Sequence, residues 1–140
     1  MKKDTVTINC LLFQLGLARK KVQRKYEEYL ASVGLNPSYI YVMEVVNDCG
    51  PCSLTAIAEY LELERPTVSH LLARMERDGF IQRLPGDERR SMKVHVTDKG
   101  KQILEEALQG LRQADKSLDS ELGGNLDSVK EAILLINANL

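Results

Sequence analysis

Two groups of side chains in this 140-residue chain have types and spacings suited to chemistry. The first begins at Arg65-Pro66-Thr67-Val68-Ser69-His70 and continues through Leu71, Leu72, Ala73 and Arg74. Val68, Leu71, Leu72 and Met75 repeat at helical steps, so Thr67, Ser69, His70, Ala73 and Arg74 project from the other face. Hydroxyls, an imidazole and a guanidinium among small residues can approach base edges and phosphates closely. Taken alone, the same face also suits plain solvation. Beyond it, Asp87, Glu88, Arg89 and Arg90 cluster at a turn, where an arginine can enter a minor groove and Asp87 can orient Arg89. Arg65 and Arg83 are candidate phosphate contacts. The second group is Cys49-Gly50-Pro51-Cys52, a pair able to form a disulfide, exchange thiols or supply two metal ligands.

Positioning the first group requires two short helices and a hairpin. Thr55 is read as an N-cap, with Ile57, Ala58 and Leu61 forming an apolar stripe behind it. Leu63 is expected to plug the angle before a second helix that opens near Arg65, with Pro66 in its first turn and Gly79 at its end. Phe80, Ile81 and Leu84 then set against Gln82 and Arg83 as a strand. Met92, Val94 and Val96 alternate with Lys93 and His95 as a second strand, and Pro85-Gly86-Asp87 mark the turn. Two helices holding one upright for a groove, flanked by a basic hairpin, outline a winged helix-turn-helix.

The flanks read as helices. Residues from about Thr5 to Val33 carry an apolar repeat ended by Gly34, and a helix from Pro37 to about Asn47 follows. Thr97 is an expected N-cap for a helix to about Leu118. Gly123-Gly124 break the chain before a last helix, Leu126 to Asn139. The fold class is therefore mostly α with a small β-hairpin wing, in one domain. Residues 34–100 are expected to be the winged helix-turn-helix and residues 1–33 and 101–140 helices for dimerisation, because a monomer of this size would struggle to cover their apolar ends; a monomer with its termini folded back is the other reading.

Net charge is −1, but it is unevenly placed. Residues 65–93 carry 7 basic and 4 acidic side chains and residues 1–33 carry 7 and 3, whereas residues 34–64 carry 5 acidic and none basic. Local field within a Debye length of about 8–10 Å governs attraction to phosphate. The run Arg19-Lys20-Lys21 with Arg24-Lys25 suits a solvated helix face or a DNA backbone. No apolar run is long enough to span a membrane, and Met1-Lys2-Lys3-Asp4-Thr5 lacks the pattern of a secretory leader, so a cytoplasmic location is expected.

Asp87-Glu88-Arg89-Arg90 followed by Val96-Thr97-Asp98-Lys99-Gly100 resembles the Asp-x-Arg wing and Leu-Thr-x-x-Gly helix start of the MarR family of bacterial and archaeal regulators, with Val96 in place of Leu. Arg65-Pro66-Thr67-Val68-Ser69 with Arg74, Arg77 and Gly79 is similar to that family's recognition helix. The resemblance covers nearly the whole chain. It implies a homodimeric transcription regulator without enzymatic activity or cofactor, most often a repressor. Such a protein binds a palindromic operator on double-stranded DNA and responds to a small-molecule effector or an oxidant. The major-groove residues implied are Thr67, Ser69, His70 and Arg74; Arg89 with Arg90 would take the minor groove.

The cysteines leave a second reading open. The Cys-Gly-Pro-Cys string occurs in thioredoxin active sites, but there it joins a strand to a long helix in a βαβ setting, which is absent here; a thioredoxin-type enzyme is excluded. A redox sensor, in which Cys49 and Cys52 staple the turn ahead of the reading helices, remains an alternative, as does a metal sensor or a merely structural turn. His70, His95 and Cys10 offer no favourable spacing for completing a zinc site, so no metal is assigned. Cys10 is expected to pack in the core, with a peroxide-sensing role as the other possibility. A winged helix used only for protein contacts is a third reading.

Overall fold

The computed structural model describes residues 5–140. Residues 1–4, on which part of the leader reading rests, lie outside the described residues. The elements run α1 (Val6–Asn9), α2 (Leu11–Leu30), α3 (Pro37–Cys49), α4 (Leu54–Leu61), α5 (Arg65–Arg77), β1 (Ile81–Pro85), β2 (Met92–Val96), α6 (Asp98–Glu121) and α7 (Leu126–Asn139). They form two compact units: Val33–Gln109, and the segment ending at Ser32 together with Gly110–Leu140.

The unit Val33–Gln109 holds most of the buried core: Ile40, Met43, Ile57, Val68, Leu72, Met75, Ile81 and Val94 are all at most 2% exposed. Asn36 caps α3 by accepting from the Ser38 amide at 2.9 Å, with Pro37 behind it. Helix α3 runs two residues further than its periodicity indicates, to Cys49. The cap of α4 is Ser53, whose hydroxyl accepts from the Ala56 amide at 3.1 Å. Thr55 sits inside the first turn instead, and its hydroxyl accepts from Arg65. Leu63 also differs from expectation, being 40% exposed. Glu62 takes a left-handed conformation (φ 53°), and the Leu63 amide then closes on the Ala58 carbonyl at 2.9 Å. That C-cap turn leaves the Leu63 side chain outside, while Ile57 and Ala58 of α4 and Val68 and Leu71 of α5, two helices in contact, are buried.

Helix α5 opens with Pro66 in its first turn and ends at Gly79, whose φ of 84° only glycine adopts freely. Strands β1 and β2 pair antiparallel, with Ile81 opposite Val96 and Pro85 opposite Met92. Their inward alternation is weak; in β2 only Val94 is fully buried. Cys52 adds a single bridge to Val94, the Val94 amide donating to the Cys52 carbonyl at 2.8 Å. One residue of pairing carries no periodic signal, so this third member of the wing is not visible in the pattern. Thr97 caps α6 as expected, accepting from the Gly100 amide at 3.0 Å while donating to the Gly79 carbonyl at 2.6 Å. Gly100 has a steric reason: a Cβ there would lie 2.3 Å from the Phe80 carbonyl oxygen.

In the other unit, the long first helix expected from Thr5 to Val33 is interrupted at Cys10 (ψ 148°) and stops at Leu30. The Ile8 carbonyl accepts from the Gln14 side-chain amide at 2.7 Å, a side-chain competitor that closes the first turn. Helix α7 has the predicted bounds, and the Asp119 carboxylate accepts from its first amide, Leu126 N, at 3.0 Å. Asp115 accepts from both Tyr26 and Lys130, the latter at 2.6 Å, and Lys25 pairs with Glu121 at 2.7 Å. Helix α7 buries none of its residues: Val129, Ile133, Leu134 and Leu135 are 40–66% exposed, and near the start of α2 Leu11 (60%) and Leu12 (82%) are exposed too.

Candidate nucleic-acid interface

Helix α5 turns Val68, Leu71, Leu72 and Met75 inward and leaves Thr67, His70, Ala73 and Arg74 exposed, with Ser69 half-buried at the edge. Ser69, His70, Ala73 and Arg74 line a shallow depression on that outer face. The outward set read from the spacing is therefore brought together on one surface.

Intramolecular partners divide the arginines of this unit. Arg65 donates to Thr55, Arg77 pairs with Asp78 at 3.0 Å, and Arg83 meets Glu76 at 3.4 Å. Among the described residues, the guanidinium groups of Arg74, Arg89 and Arg90 make no hydrogen bond or ion pair within the chain. A surface guanidinium already neutralised by a carboxylate attracts phosphate less than a free one. Arg83, a candidate phosphate contact, is thus partly spent on Glu76, whose other oxygen accepts the Arg83 backbone amide at 3.2 Å. Arg65 is tethered to a neutral hydroxyl and keeps its full charge.

The wing turn is closed by the Gly86 amide on the Ser91 carbonyl (2.9 Å) and the Ser91 amide on the Glu88 carbonyl (3.1 Å). Arg90 is left-handed (φ 64°), a conformation costing about 1–2 kcal/mol outside glycine. Arg90, Arg83 and Ser91 border a groove whose opposite wall is Ser53, Leu54 and Thr55 at the start of α4. Asp87 does not hold Arg89. Its carboxylate faces Lys93 at 3.6 Å, because the hairpin register brings Lys93 beside the turn. Arg89 is left exposed, with no ion-pair partner among the described residues.

A network fastens the base of α5. Tyr39 donates to Asp78 at 3.1 Å, and Lys99 donates to the Asp78 carbonyl at 2.7 Å while lying 4.7 Å from the centre of the Phe80 ring. The Arg77 bond holds the Asp78 carboxyl below its ordinary range, and burial followed by the Asp78 bond pushes the Tyr39 phenol up. Spacing alone did not reveal Tyr39 or Lys99, because both act across elements distant in sequence.

All three cysteines are free thiols. Cys10 is exposed rather than packed, since it caps α2 from a surface turn, with its thiol on the Thr7 carbonyl at 3.0 Å. Cys49 ends α3 and is exposed; Cys52 is half-buried, and burial with neighbouring Cys49 pushes its thiol up. Among the described residues, no three His, Cys, Asp or Glu side chains gather as a metal-binding group, and no helix is long and apolar enough to cross a membrane.

A family model described as "MarR family" matches residues 33–90. The chain is 30% identical over 96 residues to the HTH-type transcriptional regulator YwoH of Bacillus subtilis, covering 69% of this chain and 70% of that one. It is also similar to the transcriptional repressor CouR bound to a 23-mer DNA duplex, with 25% identity, a TM-score of 0.85 and 99% of each chain covered. CouR bound to p-coumaroyl-CoA has the same TM-score at 22% identity, over 99% of this chain and 98% of that one.

Proposed function

The chain belongs to the MarR family of transcriptional regulators, and from that premise we propose that it is a sequence-specific repressor binding a palindromic operator as a homodimer. The observation that carries this reading is the contrast among the arginines: among the described residues, Arg74 on the outer face of α5 and Arg89 and Arg90 on the wing have no hydrogen-bond or ion-pair partner, while neighbouring arginines are tied internally. Thr67, Ser69, His70 and Arg74 read the major groove. Arg89, with Arg90, enters the minor groove, where narrow A·T-rich stretches concentrate negative potential. Arg65 and Pro66, at the start of α5, lie against the phosphate backbone, Arg65 as its donor.

Homodimerisation is supported by the apolar surface of α2 and α7, which the chain itself leaves uncovered. A palindrome repeats its half-sites about one helical turn apart, roughly 34–36 Å, so two reading heads suffice for specificity. Release by a small molecule is proposed by analogy with CouR, whose complexes with DNA and with p-coumaroyl-CoA are both known. A ligand favouring dimers with a different head spacing would lower operator affinity. The protein acts in the cytoplasm, as a binding protein without an enzymatic step.

Selection of bound duplexes from a random pool at physiological salt tests this reading. An enriched inverted repeat is the expected result; binding that shows no sequence preference would refute it. One observation favours a second reading, thiol control. Cys52 is joined through its carbonyl to β2, so a change at Cys49 and Cys52 has a direct route to the wing. Operator affinity that falls on peroxide treatment, and does not fall in Cys49→Ser, would establish it. Unaltered affinity of the oxidised wild type would remove it.

A further inference from the structure

The outer face of α5 is chemically uneven. The depression bounded by Ser69, His70 and Arg74 has the exposed methyl of Ala73 within it. A small apolar group ringed by a hydroxyl, an imidazole and a guanidinium has little to offer water. It matches one feature of the major groove, the 5-methyl group of thymine, which alanine contacts without steric cost. Arg74 is the next residue along and has no ion-pair partner among the described residues, and its planar fork fits O6 and N7 of guanine.

Among the described residues, no carboxylate lines this depression. Glu76 is engaged by Arg83, and Asp78 by Arg77 and Tyr39. A cytosine amino group presented to this depression would therefore meet no carboxylate, whereas a thymine methyl would meet a methyl.

Resting on the DNA-binding reading above, we propose that Ala73 is a specificity-determining residue that selects a thymine in each half-site, adjacent to a guanine contacted by Arg74. Ser69 and His70 form the polar border of the thymine position and exclude water from the methyl contact.

The experiment uses the operator recovered by selection, with each thymine replaced in turn by deoxyuridine, which removes only the methyl group. At one position per half-site, the wild-type protein should bind the uracil duplex about fourfold more weakly, the worth of one buried methyl. Ala73→Gly should bind thymine and uracil duplexes equally there. Because glycine loosens a helix, Ala73→Ser is measured in parallel and should also narrow the difference. Arg74→Ala should relax the choice of the adjacent guanine. Indifference of the wild type to every such replacement, or full sensitivity retained in both Ala73 variants, would overturn the inference while leaving the DNA-binding reading intact. A pool that enriches no sequence would overturn both.

Discussion

Replacing Gly100 with alanine sets two physical effects against each other. In the first turn of α6, alanine is favoured over glycine by about 1 kcal/mol of helix propensity. The added Cβ, however, would lie 2.3 Å from the Phe80 carbonyl oxygen and 2.7 Å from Val96 Cγ1, and Gly100 is buried. The carbonyl is backbone and cannot rotate aside. It also accepts the Thr97 amide at 3.1 Å, and the Thr97 hydroxyl ties the helix start to Gly79 at 2.6 Å. Moving α6 away therefore weakens two hydrogen bonds, at about 1 kcal/mol each, on top of about 1–3 kcal/mol of overpacking. The net expectation is a loss of about 2–4 kcal/mol, or roughly 10 °C in melting temperature for a chain of this size. Thermal unfolding followed by circular dichroism, at equal protomer concentration so that assembly contributes equally, measures it. A melting temperature equal to or above that of the wild type would refute this reasoning and show that helix propensity governs.

Asp115 supports a pH-dependent expectation. Burial raises its pKa, but the bonds from Lys130 and Tyr26 outweigh burial and hold the carboxyl below its ordinary value. A depressed folded-state pKa gives stability that is present above the unfolded value, near 3.9, and is lost as pH falls through the folded value. Asp115→Asn should therefore cost about 1 kcal/mol in urea unfolding at pH 7, with the gap closing below about pH 4; a gap independent of pH would contradict this. Arg74→Ala should weaken operator binding by about 1–3 kcal/mol in fluorescence anisotropy at stated salt, whereas Arg77→Ala, already neutralised by Asp78, should change it far less. Equal losses would contradict the division of arginines. Leu134→Glu places a charge on the exposed apolar face of α7 and should shift the protein toward monomer in sedimentation at micromolar concentration, while an unchanged dimer would remove α7 from the interface.

Legibility in the sequence followed the length of the repeating signal. The stripe Val68, Leu71, Leu72, Met75 recurs over several turns, so α5 and its outward face were readable almost to the residue. Gly123 and Gly124 marked the start of α7 equally well. Single-residue decisions were less accessible. Ser53 and Thr55 are both competent caps, and only the chain path, with Arg65 reaching Thr55, separates them. The break at Cys10 is bridged by Gln14 reaching back to Ile8, a contact invisible to apolar periodicity. At the candidate site, residue types indicated which side chains face outward but not which are already engaged. Sequence proximity pairs Asp87 with Arg89, yet a hairpin brings distant residues together, and Lys93 takes that place.

Hydroxyl-radical footprinting on the selected operator tests the central claim most directly. Two protected tracts centred about 34–36 Å apart on one side of the duplex are expected, with flanking minor-groove protection that disappears in Arg89→Ala. A single tract, or protection that is indifferent to operator sequence and unaltered in both Arg74→Ala and Arg89→Ala, would contradict the account.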